Sequence, residues 1–124
     1  MILQSEFVDL NTPTGTMRTY VHRPKSKSKF PAILFYSEIF QQTGPIERAA
    51  KILASHGFVV LVPEVFHELN EIGTILNYDD AGRDKGNADK SEKDVQSYDT
   101  DNQAMVDWIK SQDWSNGNIG AMGF

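Results

Sequence analysis

FPAILFY at residues 30–36 and FVVLVP at residues 58–63 decide the fold of this chain. Both stretches are almost wholly apolar, as expected for strands that are buried on both faces of a mostly parallel sheet. The segment between them predicts a helix, because Pro45 suits a first helical position and Gly57 suits the position just after a helix. A strand, a helix and a second strand in this order predict a right-handed crossover, so the chain is an α/β protein.

The other elements are predicted outward from this unit. Residues 5–10 and 16–22 predict an N-terminal β-hairpin. Residues 64–92 predict a long polar loop, and loops of that length are usually functional or disordered. A helix over about 94–111 and a strand over 119–122 follow, which gives three layers around a mostly parallel central sheet. The helix residues expected to face the core are Val95, Tyr98, Met105, Trp108 and Ile109.

Composition limits the class of function. The chain has 124 residues, one domain or part of one, and its net charge of -5 argues against a nucleic-acid partner. No apolar run approaches the roughly 20 residues of a membrane span, and no secretory signal is visible, so the expected location is the cytoplasm. There is no cysteine, which excludes a disulfide scaffold within these residues.

The three histidines do not predict a metal centre, and no cofactor is expected. His67 is followed by a glutamate, but the second histidine of an H-E-x-x-H motif is missing. His56 is expected to interact with the dipole at a helix C-terminus, and His22 is expected on the surface of a strand.

The stretch GNIGAMGF at residues 117–124 is typical of a strand that enters a nucleophile elbow. In that motif, G-x-nucleophile-x-G, a tight turn between strand and helix exposes the reactive side chain above the sheet. Gly123 and Phe124 match its first two positions. The motif needs glycines because a side chain at either position would collide across the turn. The match at Gly123 and Phe124 predicts a nucleophile directly after Phe124.

In this order and spacing, the chain resembles the dienelactone hydrolase (carboxymethylenebutenolidase) family. The matching residues are Ser37-Glu38-Ile39-Phe40, Gly57-Phe58, Trp114-Ser115-Asn116-Gly117-Asn118-Ile119-Gly120 and Gly123-Phe124. The resemblance implies an α/β-hydrolase fold and a Cys-His-Asp triad, with the cysteine directly after Phe124. Residues 1–124 are then the N-terminal half of a single domain, and on their own they are expected to leave an apolar sheet edge unpaired.

The resemblance also implies roles for three residues. Glu38 is expected to accept the proton of the nucleophilic thiol, whereas from the residues alone it could equally be a solvent-facing carboxylate. The backbone N–H of Ile39 is expected to form part of the oxyanion hole. Arg83 is expected to bind a substrate carboxylate, although the residues alone favour a surface arginine paired with Asp84. Lys90 stands near a position where the family's best-known substrate pocket is aromatic, which favours a different ester.

The leading functional hypothesis is hydrolysis of a lactone or small carboxylic ester. One alternative is a general carboxylesterase or acyl hydrolase of the same fold, and another is a catalytically silent, hydrolase-like binding domain. The expected partner is a small-molecule substrate, without nucleic acid or membrane, and the protein is expected to be a monomer or homodimer.

Overall fold

The computed structural model describes residues 2–37 and 39–123, and within them it contains one five-stranded sheet and three helices. The elements are β1 (Leu3–Thr12), β2 (Gly15–Pro24), β3 (Phe30–Tyr36), α1 (Gly44–Ser55), β4 (Val59–Pro63), α2 (Asp80–Glu92), α3 (Val95–Lys110) and β5 (Ser115–Gly123). None of the helices in the described residues has both the length and the apolar character needed to cross a bilayer.

The sheet is mixed, with strand order β1-β2-β4-β3-β5. β1 and β2 form the predicted antiparallel hairpin, and β2 also pairs antiparallel with β4. β3 pairs in parallel with β4 on one side and β5 on the other, so that Leu34 lies opposite both Leu61 and Ala121. The crossover from β3 through α1 to β4 is therefore present, and the predicted α/β class and hairpin are confirmed.

Two apolar clusters on opposite faces of the sheet form the core. Because successive side chains of a strand point to opposite faces, β4 supplies Val60 and Val62 to one cluster and Val59 and Leu61 to the other. The first cluster also holds the α1 residues Ile46, Ala50 and Ala54. The second holds Met105 and Ile109 of α3. The sheet thus lies between α1 and α3, which is the predicted three-layer arrangement.

The ends of α1 follow from two residues. The helix begins at Gly44, so Pro45 is its second residue rather than its first, still within the turn where a missing N–H is harmless. Gly57 has φ +94°, a left-handed conformation that favours glycine, and it ends the helix as predicted.

The prediction of a loop throughout residues 64–92 is wrong, because α2 occupies Asp80–Glu92. Asp79 caps this helix, since its side chain accepts a hydrogen bond from the Gly82 N–H over 2.7 Å. The buried residues of α2 are Gly82, Gly86 and Asp89. A helix that buries glycine and aspartate has no apolar periodicity, which is the signal from which helices are predicted.

The predicted burial of two side chains is wrong. His22 is buried, its Nδ1 lies 2.8 Å from Ser5 Oγ, and burial lowers the pKa of the imidazole. Val95, the first residue of α3, is 77% exposed rather than in the core. The buried polar residues of the same helix are Ser97 and Asp101.

Candidate active site at the carboxyl ends of β3 and β4

The carboxyl ends of the three parallel strands meet at one edge of the sheet. Gly123, the last residue of β5, lies opposite Tyr36, the last residue of β3. The two backbones are close, because a Cβ on Gly123 would lie 3.4 Å from the Cβ of Tyr36. In open α/β sheets, ligands bind outside the carboxyl ends of the strands. The strand β5, whose last residue Gly123 matches the start of the predicted elbow motif, therefore ends beside the segment that contains Ser37 and Ile39.

A cavity of about 180 Å³ opens at this edge of the sheet. Its lining residues are Tyr36, Ser37, Ile39, Val65, Phe66, Lys90 and Tyr98. They come from the end of β3, from the segments after β3 and β4, and from α2 and α3. A larger cavity of about 430 Å³ lies near the amino ends of β3 and β5, against Lys27 in the loop between β2 and β3 and against Trp114. The smaller cavity is the candidate site because it lies at the carboxyl ends of the strands.

Close contact with α2 holds Ile39 at the cavity. A Cβ added to Gly86 would lie 2.8 Å from Ile39 Cβ and 2.9 Å from Cγ1, so only glycine allows this approach. The side chain of Ile39 is thus packed against a helix, while its backbone belongs to the turn after β3. Both interpretations of Ile39, packing and oxyanion binding, are compatible with this position.

The residues that follow Ile39 are braced by the segment before α2. Gln41 is buried and has φ 67°, a conformation that persists where the surroundings impose it. Its Nε2 donates to the Thr74 carbonyl over 2.9 Å. The Thr43 and Tyr78 hydroxyls are 2.7 Å apart, and the Tyr78 ring packs on Phe40 with centroids 4.7 Å apart. The turn after β3 is therefore held by side chains as well as by the strand.

A buried carboxylate braces the segment after β4 in the same way. Glu64 follows β4 and accepts hydrogen bonds from the Tyr20 hydroxyl over 2.8 Å and from the Gly73 N–H over 3.1 Å. Burial and the hydrogen bond to Glu64 raise the pKa of Tyr20 to about 12, so this phenol stays a donor at any physiological pH. Val65 and Phe66, which line the cavity, come directly after this anchor.

Of the predicted site residues, Glu38 lies outside the described residues, and Arg83 is away from the cavity lining. Ser37 and Ile39, the neighbours of Glu38 in sequence, both line the cavity. Arg83 lies on α2 with its side chain 60% exposed, and its guanidinium donates to Asp80 over 2.8 Å. Its partner is therefore Asp80 rather than Asp84.

A buried cluster of titratable side chains lies beside the site. The sequence did not predict it. Lys93 Nζ lies 2.6 Å from Glu68 Oε2 and 2.8 Å from Asp101 Oδ2. His67 Nε2 lies 3.0 Å from the other oxygen of Asp101. The side chains of Lys93 and His67 are each only 1% exposed. The cluster connects the segment after β4 with α3 and with Lys93, which follows α2.

The spacing of His67, Glu68 and Asp101 would suit a metal ion, since their ligand atoms lie within 4.8 Å of one another. The ammonium of Lys93 is already within 2.8 Å of both carboxylates. It supplies the positive charge that a bound cation would bring, so we interpret the cluster as a buried ion-pair network.

A sequence model of the dienelactone hydrolase family matches residues 17–124. The chain belongs to this family. A Saccharomyces cerevisiae protein named "Putative carboxymethylenebutenolidase" is 41% identical over 115 residues, which cover 88% of this chain and 41% of that protein.

Solved structures of the dienelactone hydrolase type share the fold. The "Putative Dienelactone Hydrolase" of Klebsiella pneumoniae superposes with a TM-score of 0.82 at 17% identity, over 100% of this chain and 50% of that one. A dienelactone hydrolase-like promiscuous phosphotriesterase from metagenomic libraries gives a TM-score of 0.76 at 17% identity, with the same coverage. The α/β-hydrolase fold is thus confirmed, and the chain spans about half the length of the relatives it matches or less.

In this dienelactone hydrolase family member, Gly86→Ala is expected to lower the stability of the fold. In an open helix the change would stabilise the protein by about 0.4–1 kcal/mol. Here the new methyl group meets Ile39 Cβ, which cannot rotate away, and overpacking of this kind costs about 1–3 kcal/mol. Urea denaturation measures the loss. Ser91→Ala, an exposed change on α2, is the control, and equal stability of the two variants would contradict the packing argument.

Glu68 is expected to make the stability of the fold depend on pH in the acid range. Burial alone would raise the pKa of Glu68, but hydrogen bonds from Lys93, Ser97 and Thr14 outweigh it and lower the pKa from 4.5 to about 2. This contribution to stability is therefore complete above about pH 4.5 and is lost as the pH falls through about 2. Thermal unfolding between these two values measures it. Glu68→Gln should flatten the profile, whereas the exposed Glu71→Gln should leave it unchanged.

Proposed function

We propose that this chain is the N-terminal half of a hydrolase domain that cleaves lactones or small carboxylic esters. The main support is the cavity at the carboxyl ends of β3 and β4, next to the strand that leads into the elbow motif. Membership of the dienelactone hydrolase family supports the same reaction class. The name of the yeast relative describes an enzyme that acts on a butenolide, and we extend this only to the class of lactones and esters.

In the proposed mechanism, a cysteine that follows Phe124 attacks the ester carbonyl. A free thiol with a pKa near 8.5 is mostly protonated at neutral pH, and Glu38 accepts its proton so that the thiolate forms. The N–H of Ile39 donates to the oxyanion of the tetrahedral intermediate. Collapse breaks the ester C–O bond, and the leaving alkoxide takes up the proton that Glu38 accepted from the thiol. Water then hydrolyses the acyl-enzyme with a histidine and an aspartate that follow later in the chain, which releases the acid and the thiol.

Arg83, to which the resemblance assigns a substrate carboxylate, is one of two candidate cations on α2 for this role, and the other is Lys90 at the cavity. Its exposure allows the guanidinium to turn, but Asp80 competes with any substrate for it. The ion pair with Asp80 favours the second candidate function, a general carboxylesterase in which Arg83 has no role in binding. Comparing a charged with a neutral ester distinguishes these functions.

The function is tested with the full-length protein. We expect it to hydrolyse a cyclic enol-lactone and phenyl esters, and to lose this activity when the residue after Phe124 is replaced by alanine. Reaction with iodoacetamide should inactivate the wild-type protein and label that position. Absence of turnover in a folded protein that carries no cysteine or serine there would favour the silent binding domain instead.

A further inference from the structure

The described residues that line the cavity combine apolar walls with a single charged group. Among its described lining residues, Lys90 alone carries a charge, and the others are apolar, aromatic or hydroxyl-bearing. These residues suit a substrate that has an apolar part and one group able to interact with an ammonium.

The position of Lys90 follows from the close approach of α2. Gly86 contacts Ile39 directly, and Lys90 is one helical turn further along on the same side of the helix. The glycine that brings α2 against the turn after β3 thus also brings the lysine to the cavity. Arg83 lies about two turns from Lys90, and it is absent from the cavity lining.

Lys90 also differs from the neighbouring lysines in its partners. Lys85 is paired with the buried carboxylate of Asp89. Lys93 is held between Glu68 and Asp101. Within residues 2–37 and 39–123, Lys90 makes no ion pair, so its charge is available to a ligand in the cavity.

We propose that Lys90, rather than Arg83, determines specificity in this site by binding an anionic group of the substrate. The proposal rests on the proposed hydrolase function and names the residue that binds the charged group of the substrate. An ammonium is a compact point charge without the planar fork of a guanidinium, so it tolerates several orientations of the anion. We therefore infer selectivity for small esters that carry a carboxylate, with a loose requirement for its orientation.

The kinetic test compares two esters on the full-length enzyme. Monophenyl succinate carries a free carboxylate, and phenyl isocaproate replaces that carboxylate with a neutral isopropyl group of similar shape. Lys90→Met keeps most of the length of the side chain and removes its charge. We expect kcat/KM for monophenyl succinate to fall about ten- to a hundred-fold, the usual effect of losing a charge-assisted hydrogen bond, while phenyl isocaproate is spared.

Two further variants separate Lys90 from its rivals. Arg83→Gln should change the two kcat/KM values equally, and Lys110→Met, which removes an exposed lysine from the end of α3, should change neither. A selective loss with Arg83→Gln, or an unchanged ratio of the two substrates with Lys90→Met, would overturn the proposal.

A binding measurement makes the test independent of catalysis. Calorimetric titration with phenylacetate should give binding to the wild-type protein that weakens about ten- to a hundred-fold in Lys90→Met, whereas neutral phenylacetamide should bind both proteins equally. This result with no ester turnover would refute the hydrolase function but retain the anion site. If the wild-type protein does not bind phenylacetate, or if both proteins bind it equally, the proposal is wrong.

Discussion

Glu38→Gln is expected to lower kcat of the full-length protein by about ten- to ten-thousand-fold. This range includes the usual effect of a general base, about a hundred- to ten-thousand-fold, and extends below it. The change keeps the size of the side chain and its hydrogen bonding but removes the group that we propose as the proton acceptor for the thiol. Hydrolysis of phenyl isocaproate measures kcat. The rate of alkylation by iodoacetamide as a function of pH measures the reactivity of the thiol.

The pH dependence of alkylation, together with the unfolding midpoint, distinguishes an effect on the chemistry from an effect on folding. If Glu38 acts as the base, the pH at which alkylation is half-maximal should rise in the variant, while its unfolding midpoint stays near that of the wild type. Glu71→Gln removes an exposed carboxylate elsewhere and should alter neither quantity. Near-wild-type turnover by Glu38→Gln would show that the proposed role is wrong.

Lys93→Met is expected to have the largest effect on stability, about 3–5 kcal/mol. The ammonium is enclosed between Glu68 and Asp101, and removing it leaves two carboxylates close together without a cation. Domains are stable by only about 5–15 kcal/mol, so this loss is a large part of the total. Urea denaturation at pH 7 of the full-length protein measures the loss.

A compensating variant checks the cause. Combining Lys93→Met with Glu68→Gln and Asp101→Asn removes the unpaired charges, and it should recover part of the lost stability. Lys110→Met, at an exposed lysine, is the matched control and should be close to neutral. A loss in Lys93→Met below about 1 kcal/mol, the value of an exposed ion pair, would show that the network is not held as described.

The sequence predicted those elements whose burial is periodic or continuous. β3 was predicted with its observed bounds, because its neighbours on both sides and the helices on both faces demand an unbroken apolar run. α2 was missed because it approaches its neighbours through glycine. Its local signals were the cap at Asp79, the acidic Asp80 in the first turn and the basic Lys90 in the last turn, and these are weak without an apolar stripe.

The candidate site could be predicted only where its residues are adjacent in the sequence. The segment around Ile39 was found because a motif spans adjacent residues, and it does line the cavity. The network around Lys93 joins residues that are remote in sequence, including Thr14 in the hairpin turn and Asp101 in α3. His22 was misassigned because polar residues in strands usually face water, whereas here Ser5 gives the buried ring a partner.

The parallel pairing of β3 with β5 has a consequence for how the molecule forms. Leu34 and Ala121 are partners in the sheet, yet β4 and all three helices come between them in the chain. Closing a long loop costs more entropy than closing a short one, and pairings between distant segments form slowly. During synthesis, β1 to β4 are complete before β5 leaves the ribosome. Until then, the edge of β3 that pairs with β5 in the folded protein has no strand beside it.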